Sequence, residues 1–205
     1  MIWKMNQLKF GSKPKIFCIG LNKTGTTSLK TALRTLGDEG GNQRKAEYLL
    51  NDWYKRDYKD LIQYCKGAEA FQDTPFSFPF TFIALDQAFP NSKFILTVRD
   101  NEEQWYNSIT RFHAKLWGYN GRIPTKEDLQ QATYIYKGRP WESNRMKFTS
   151  PEGDPYNKEV LFNYYNTHNK NVIEYFRGRT NNLLLLNVYS KNQYSKLCEL
   201  LVKTI

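Results

Sequence analysis

The chain has 205 residues, 40% of them hydrophobic and 24% charged, with a formal net charge of +10. That length accommodates one domain with a full core, and that composition excludes a globally disordered protein. The positive balance implies a general affinity for anions, but no run of Lys and Arg forms a tail or stripe, which argues against nucleic acid as a partner.

The opening Met1-Ile2-Trp3-Lys4-Met5 lacks a continuous apolar stretch, and no later run approaches transmembrane length, so a cytoplasmic protein without membrane association is expected. A first apolar run, Ile16–Gly20, reads as a buried strand. It leads into a helix over Thr26–Leu36, in which Leu29, Ala32, Leu33 and Leu36 share one face and Gly37 is the stop signal. A long helix over Ala46–Lys66, a weaker strand over Ala68–Gln72 and a helix over Phe80–Ala88 follow. Next come a strand over Phe94–Val98 and a helix over Glu102–Trp117. Gly118–Tyr156 is rich in Gly, Pro, aromatic and basic residues and reads as an irregular insertion of the kind that serves as a lid. Helices over Lys158–Arg177 and Tyr194–Val202 flank a last strand, Leu183–Val188. Short apolar runs alternating with helices predict βαβ units. The expected fold is α/β: a three-layer P-loop NTPase-like fold with a central parallel sheet. It forms a single domain, 1–205, with 118–156 as the lid or acceptor-site insertion.

Cys18, Cys65 and Cys198 show neither CxxC nor metal-ligand spacing, and no His–Cys–carboxylate cluster suggests a metal. The chemistry concentrates instead in Gly20-Leu21-Asn22-Lys23-Thr24-Gly25-Thr26-Thr27-Ser28. A strand entering a glycine-bounded loop that opens a helix is an anion cradle, made of backbone N–H groups at a helix N-terminus. A Walker A loop would carry Lys then Ser/Thr directly after its second glycine, to serve the β/γ-phosphates and magnesium. Here Thr26-Thr27 stands there, and Lys23 lies inside the loop. Metal-assisted γ-phosphoryl transfer is therefore disfavoured.

A second constellation is Phe94-Ile95-Leu96-Thr97-Val98-Arg99-Asp100 with Trp105-Tyr106-Asn107-Ser108. An arginine at the carboxyl end of a parallel strand stands where open α/β sheets bind ligands, and its fork suits a phosphate. By itself this motif is equally compatible with a structural Arg99–Asp100 ion pair.

Taken together, the Phe17–Leu29 loop segment, Ala88–Asp100, Trp105–Ser108, Tyr165–Phe176 and Leu183–Val188 resemble the P-loop sulfotransferases that use 3′-phosphoadenosine 5′-phosphosulfate (PAPS), in particular the sulfotransferase-like branch of bacteria and assorted eukaryotes. The resemblance covers nearly the whole chain except Gly118–Tyr156. It implies that Asn22, Lys23, Thr24, Gly25, Thr26, Thr27 and Ser28 hold the 5′-phosphosulfate, with Lys23 near the bridging oxygen. It implies further that Arg99 and Ser108 hold the 3′-phosphate. The arginine-to-serine step is nine residues here and usually eight in related enzymes, so either Ser108 or Asn107 makes that contact. Many relatives also bring a basic C-terminal loop to the 3′-phosphate. Here Thr204-Ile205 follows the last helix closely, and that contact is expected to be absent or supplied by the insertion.

PAPS is then the co-substrate, no metal is expected, and a small-molecule or glycan hydroxyl or amine is the acceptor. Sulfuryl transfer needs in-line positioning and stabilisation of the leaving phosphate, which a lysine supplies. The acceptor needs a base within reach. Asp73, after the weak strand and two residues before Pro75, corresponds to the position of the histidine base in cytosolic sulfotransferases. An aspartate is an indifferent base at its ordinary pKa, so burial or the acceptor has to raise it. His113 is the reserve candidate, whereas His168 falls in a long helix and faces packing or solvent. Two alternatives remain: a nucleotide or small-molecule kinase on the same fold, and a catalytically silent nucleotide-binding protein.

Overall fold

The computed structural model describes residues 9–11 and 13–202. Met1–Met5 and Thr204-Ile205, from which the sequence expectations about the two ends were drawn, lie outside the described residues. The chain divides into two compact units, Arg99–Lys170 and the remainder.

The first unit is built on a four-stranded sheet of β1 (Ile16–Cys18), β2 (Ala70–Gln72), β3 (Lys93–Thr97) and β4 (Leu183–Leu186). The strand order is β2-β1-β3-β4, and every pairing is parallel. Side chains alternate along β1 because a strand turns its residues to opposite faces. Phe17 and Ile19 join one buried cluster with Phe71, Phe94, Leu96 and the helices over Lys59–Cys65 and Thr81–Ala88. Ile16 and Cys18 join another with Leu29 and Leu33 of α1 (Thr26–Thr35) and Leu197 of the helix Gln193–Leu201. Both faces of the sheet are covered, which accounts for the near-continuous apolar strands. At the centre of the first cluster the Phe17 ring lies 5.4–6.2 Å from those of Phe71, Phe76, Phe89 and Phe94.

Lys15 enters this core at the foot of β1 and is only 1% exposed. Its backbone N–H donates to Ser92 Oγ (2.9 Å), and its Nζ donates to the carbonyls of Phe10 and of Ala68 (3.0 Å). Burial holds its pKa below the ordinary lysine value, so the carbonyls are what make the buried ammonium tolerable.

One sequence expectation fails in this unit. The single helix over Ala46–Lys66 is instead a series of short pieces: Gln43–Ala46, a 3-10 turn Glu47–Leu49, Leu50–Tyr54 and Lys59–Cys65. Arg56 adopts φ 61°, and the Asp57 carboxylate accepts from the Lys59 N–H at 3.2 Å. An aspartate that captures the backbone two residues on competes with helix continuation and restarts the chain at a new N-terminus.

The second unit contains α2 (Glu102–Trp117) and most of α3 (Lys158–Tyr175). Asn101 caps α2, its side chain accepting from the Gln104 N–H at 2.8 Å. The stretch between these helices carries more regular structure than its Gly and Pro content suggests. It includes helices at Lys126–Gln131 and Arg139–Lys147 and an antiparallel hairpin of Thr133–Tyr134 with Tyr136–Lys137. Thr125 and Asp128 form a reciprocal capping box at the first helix, and Gly138 (φ 82°) with Pro140 opens the second. No helix among the described residues is long and apolar enough to cross a membrane.

Candidate active site

In the first unit, the β1–α1 connection is a tight loop packed on the end of β3. The register Ile16↔Lys93, Phe17↔Phe94, Cys18↔Ile95 continues to bring Gly20 beside Thr97. A Cβ at Gly20 would fall 2.1 Å from Thr97 Oγ1 and 2.5 Å from both Thr97 N and O, so only glycine fits. Thr24, fully buried, donates through Oγ1 to the Leu21 carbonyl (2.5 Å) and lies 2.5 Å from Thr97 Oγ1. These contacts pin the loop from below. Gly25 then adopts φ 106° at the N-cap of α1, with no side-chain cap and no acidic residue in the first turn. The first intrahelical bond runs from the Leu29 N–H to the Gly25 carbonyl (3.1 Å). The amides of Thr26, Thr27 and Ser28 precede it and belong to the turn that has no intrahelical acceptors. With the positive end of the helix dipole behind them, they form an anion seat.

Two further residues of this loop region hold the left-handed backbone that disfavours a Cβ: Lys23 at φ 74° and Asp73 at φ 63°. Strain of this kind persists where surrounding structure fixes it and clusters at functional sites. Asp73 directly follows β2, and its Oδ1 accepts from Asn22 Nδ2 of the loop and from the Thr74 N–H (2.9 Å). Ser77 Oγ donates to Asn22 Oδ1 at 3.3 Å, and the Ser77 N–H donates to the Asp73 carbonyl at 2.9 Å. Asn22 thus ties the anion loop to the half-buried Asp73 turn.

In the second unit, Arg99 is held by its main chain. Its N–H donates to Tyr165 Oη (2.9 Å), and the same hydroxyl donates to the Arg99 carbonyl (3.4 Å). Burial pushes the Tyr165 phenol above its ordinary pKa, which keeps that donor protonated, and the ring stacks on buried Trp105 at 5.1 Å. The Arg99 guanidinium reaches Ser108 Oγ, one α2 face away, at 3.4 Å. Asn107, the other candidate for that contact, donates instead to Glu103 Oε1 on the exposed side of its own helix (3.2 Å). The nine-residue step therefore brings Arg99 and Ser108 together.

The family model of the sulfotransferase domain matches residues 15–205. The chain belongs to the sulfotransferase domain family. No curated protein matches it significantly. As a sulfotransferase it is a transferase, and its central parallel sheet flanked by helices is the expected P-loop-like α/β fold.

Within this sulfotransferase, Asn22 through Ser28 and Asp73 are brought together in the first unit, and Arg99 with Ser108 in the second. His113 lies in the second unit: its Nδ1 is 2.8 Å from Tyr156 Oη, and its ring is 4.6 Å from that of Trp117. Tyr156 is itself 2% exposed, and burial pushes its phenol far above the ordinary value. His168 is buried at 2% exposure, which settles its face as packing. No cluster of three or more His, Cys, Asp or Glu side chains suited to a metal occurs among the described residues. Sequence reading missed Thr97, Ser77 and Tyr165. Thr97 carries a signal, as a hydroxyl inside an otherwise apolar strand; the roles of Ser77 and Tyr165 depend on contacts 55 and 66 residues away in sequence.

Proposed function

We propose that the protein transfers a sulfuryl group from PAPS to a hydroxyl or amine acceptor, in line and without a metal. The observation that carries this reading is the β1–α1 loop: a lysine held at φ 74° inside a glycine-bounded anion seat, where Walker chemistry would place it after the second glycine. The leaving group of PAPS is a phosphate that already shares its charge over several oxygens, and one ammonium is sufficient to stabilise it.

The amides and hydroxyls of Thr26, Thr27 and Ser28 suit the 5′-phosphosulfate, which fits a helix N-terminus free of acidic side chains. Thr24, expected among these ligands, is fully buried with its N–H and Oγ1 both on the Leu21 carbonyl and so supports the loop from below. Lys23 takes the bridging oxygen. Arg99 and Ser108 take the 3′-phosphate, for which the guanidinium fork beside a hydroxyl is chemically apt. Asp73 receives the acceptor proton, with Asn22 orienting its carboxylate. His113, paired with Tyr156, is left outside the base role in this reading. In the step itself the acceptor oxygen forms a bond to sulfur while the bond from sulfur to the bridging oxygen breaks. The electron pair leaves on adenosine 3′,5′-bisphosphate, and the hydroxyl proton passes to Asp73. The acceptor is a small molecule or glycan.

The test is transfer of radiolabelled sulfuryl from PAPS to an acceptor panel in the presence of a metal chelator. Turnover that persists in chelator and falls at least about 100-fold in Asp73→Asn supports the reading, a loss in the range of general-base catalysis. Undiminished turnover in that variant removes Asp73 as the base.

A further inference from the structure

Beside the anion loop, in the first unit, lies a cavity of about 470 Å³ between α1 and the edge strand β2. Its volume is that of a small-molecule site rather than a packing fault. One end is lined by Thr27, in the first turn of α1, and by Gln72, the residue before Asp73. These two residues adjoin in sequence the two halves of the proposed chemistry in this unit, the loop and the Asp73 turn, which Asn22 joins.

The walls of the cavity decide what it takes. The floor is an apolar surface that includes Leu33, Ala70 and Phe71. Gly41 rests on the Phe71 ring so closely that a Cβ would be 2.8 Å from two of its carbons, which keeps that floor open. Along one wall, Lys30 and Arg34 project from the same face of α1, one turn apart. Both are exposed, and neither makes an ion pair among the described residues. Asp38 is the one carboxylate in the lining, so the cations outnumber it. Gln72 Oε1 is buried with no hydrogen-bond partner among the described residues, an acceptor that a ligand hydroxyl would satisfy. Two cations and an orphan amide oxygen around an apolar floor suit a ring that carries both a negative charge and hydroxyls.

We infer that this cavity is the acceptor site and that the acceptor is polyhydroxylated and anionic, on the scale of one or two sugar rings. This rests on the PAPS reading of the adjacent loop. The reacting hydroxyl enters at the Thr27–Gln72 end. The acceptor's carboxylate or sulfate pairs with Lys30 and Arg34, up to seven residues along α1, or about 10 Å at the helical rise. Asp38 and Gln72 accept from its remaining hydroxyls. Arg34 supplies a fork for the anion, and Lys30 a mobile point charge.

The probes are p-nitrophenyl glucuronide and p-nitrophenyl glucoside, which differ in a single carboxylate. Their dissociation constants are measured by calorimetry on the intact protein and on Lys30→Ala/Arg34→Ala, with adenosine 3′,5′-bisphosphate titrated in the same preparations. The expected result is at least about tenfold tighter binding of the glucuronide, the scale of a charge-assisted contact at a partly open site. That preference should collapse to within about threefold in the double variant, whose bisphosphate affinity and Tm stay close to the wild-type values. Equal or absent binding of the two sugars, a preference that survives in the double variant, or glucuronide displaced by the bisphosphate would each overturn the assignment. Failure of the donor reading would register in the bisphosphate titration instead, so the two failures are distinguishable.

Discussion

The anion loop depends on Gly25 for two separable reasons, and a double-mutant cycle separates them. The residue sits at φ 106°, and a Cβ there would also lie 2.3, 3.0 and 3.2 Å from Cγ2, Cγ1 and Cβ of Val188. In Gly25→Ala the left-handed backbone costs about 1–2 kcal/mol, and overpacking against Val188 adds about 1–3 kcal/mol. The expected destabilisation is thus about 2–5 kcal/mol, a large part of a typical folding free energy. Val188→Ala removes both Cγ atoms and leaves only the 3.2 Å contact, which a small shift can absorb. Made in that background, Gly25→Ala should therefore cost only its backbone share, with a coupling of about 1–3 kcal/mol favouring the double variant. Urea unfolding followed by tryptophan fluorescence measures all four proteins, and an unchanged m-value licenses the comparison. Additive losses would refute the close approach of α1's N-terminus to Val188. A near-neutral Gly25→Ala would refute the left-handed geometry of the loop as well.

Other consequences follow from single contacts. Gly20→Ala, whose Cβ would strike the backbone of Thr97, should destabilise by more than about 2 kcal/mol, while Gly40→Ala, with nothing within 4 Å, should stay within about 0.5 kcal/mol in the same urea assay. Asp73→Ala strips the acceptor from Asn22 and from the Thr74 N–H and should cost about 1–3 kcal/mol, whereas Asp73→Asn keeps an acceptor oxygen and should cost less; equal losses would show that the hydrogen bonds do not hold the turn. Cys18 and Cys65 are fully buried, with thiols pushed up by desolvation, and Cys198 is 1% exposed. A colorimetric thiol reagent should therefore label the folded protein slowly and the urea-unfolded protein fast; rapid labelling of the folded form would contradict that burial.

The fold was legible wherever its determinants are local. Apolar runs located all four strands of the parallel sheet, and the helix Glu102–Trp117 has the bounds its periodicity predicts. The long helix expected over Ala46–Lys66 does not form because Asp57 and the left-handed Arg56 interrupt an otherwise helical pattern, a competition decided by one side-chain hydrogen bond. The Gly and Pro content of the stretch after Gly118 reads as irregular. Yet Thr125-Lys126-Glu127-Asp128 is a capping box, and Pro140 stands in the first turn of its helix, so both helix starts were written in the sequence. Among site residues, the Gly20–Ser28 loop was readable because its spacing is its geometry. Ser77 is not, since it acquires its role only through the return of β2 to the loop, and Thr97, visible as a hydroxyl in an apolar strand, acquires its partner only through the register of β1 on β3.

In the proposed function, Lys23 and its loop serve a phosphosulfate donor whose 3′-phosphate is held by Arg99 and Ser108. Calorimetry with adenosine 3′,5′-bisphosphate in the presence of a chelator tests it most directly, run beside adenosine 5′-monophosphate and ATP–magnesium. Micromolar binding of the bisphosphate without metal is expected. Arg99→Ala should weaken this by about 100-fold, the loss of a charged phosphate contact, while leaving the monophosphate nearly unchanged. Binding of ATP–magnesium in preference to the bisphosphate, or an Arg99→Ala variant that binds both adenosine nucleotides as before, would contradict it.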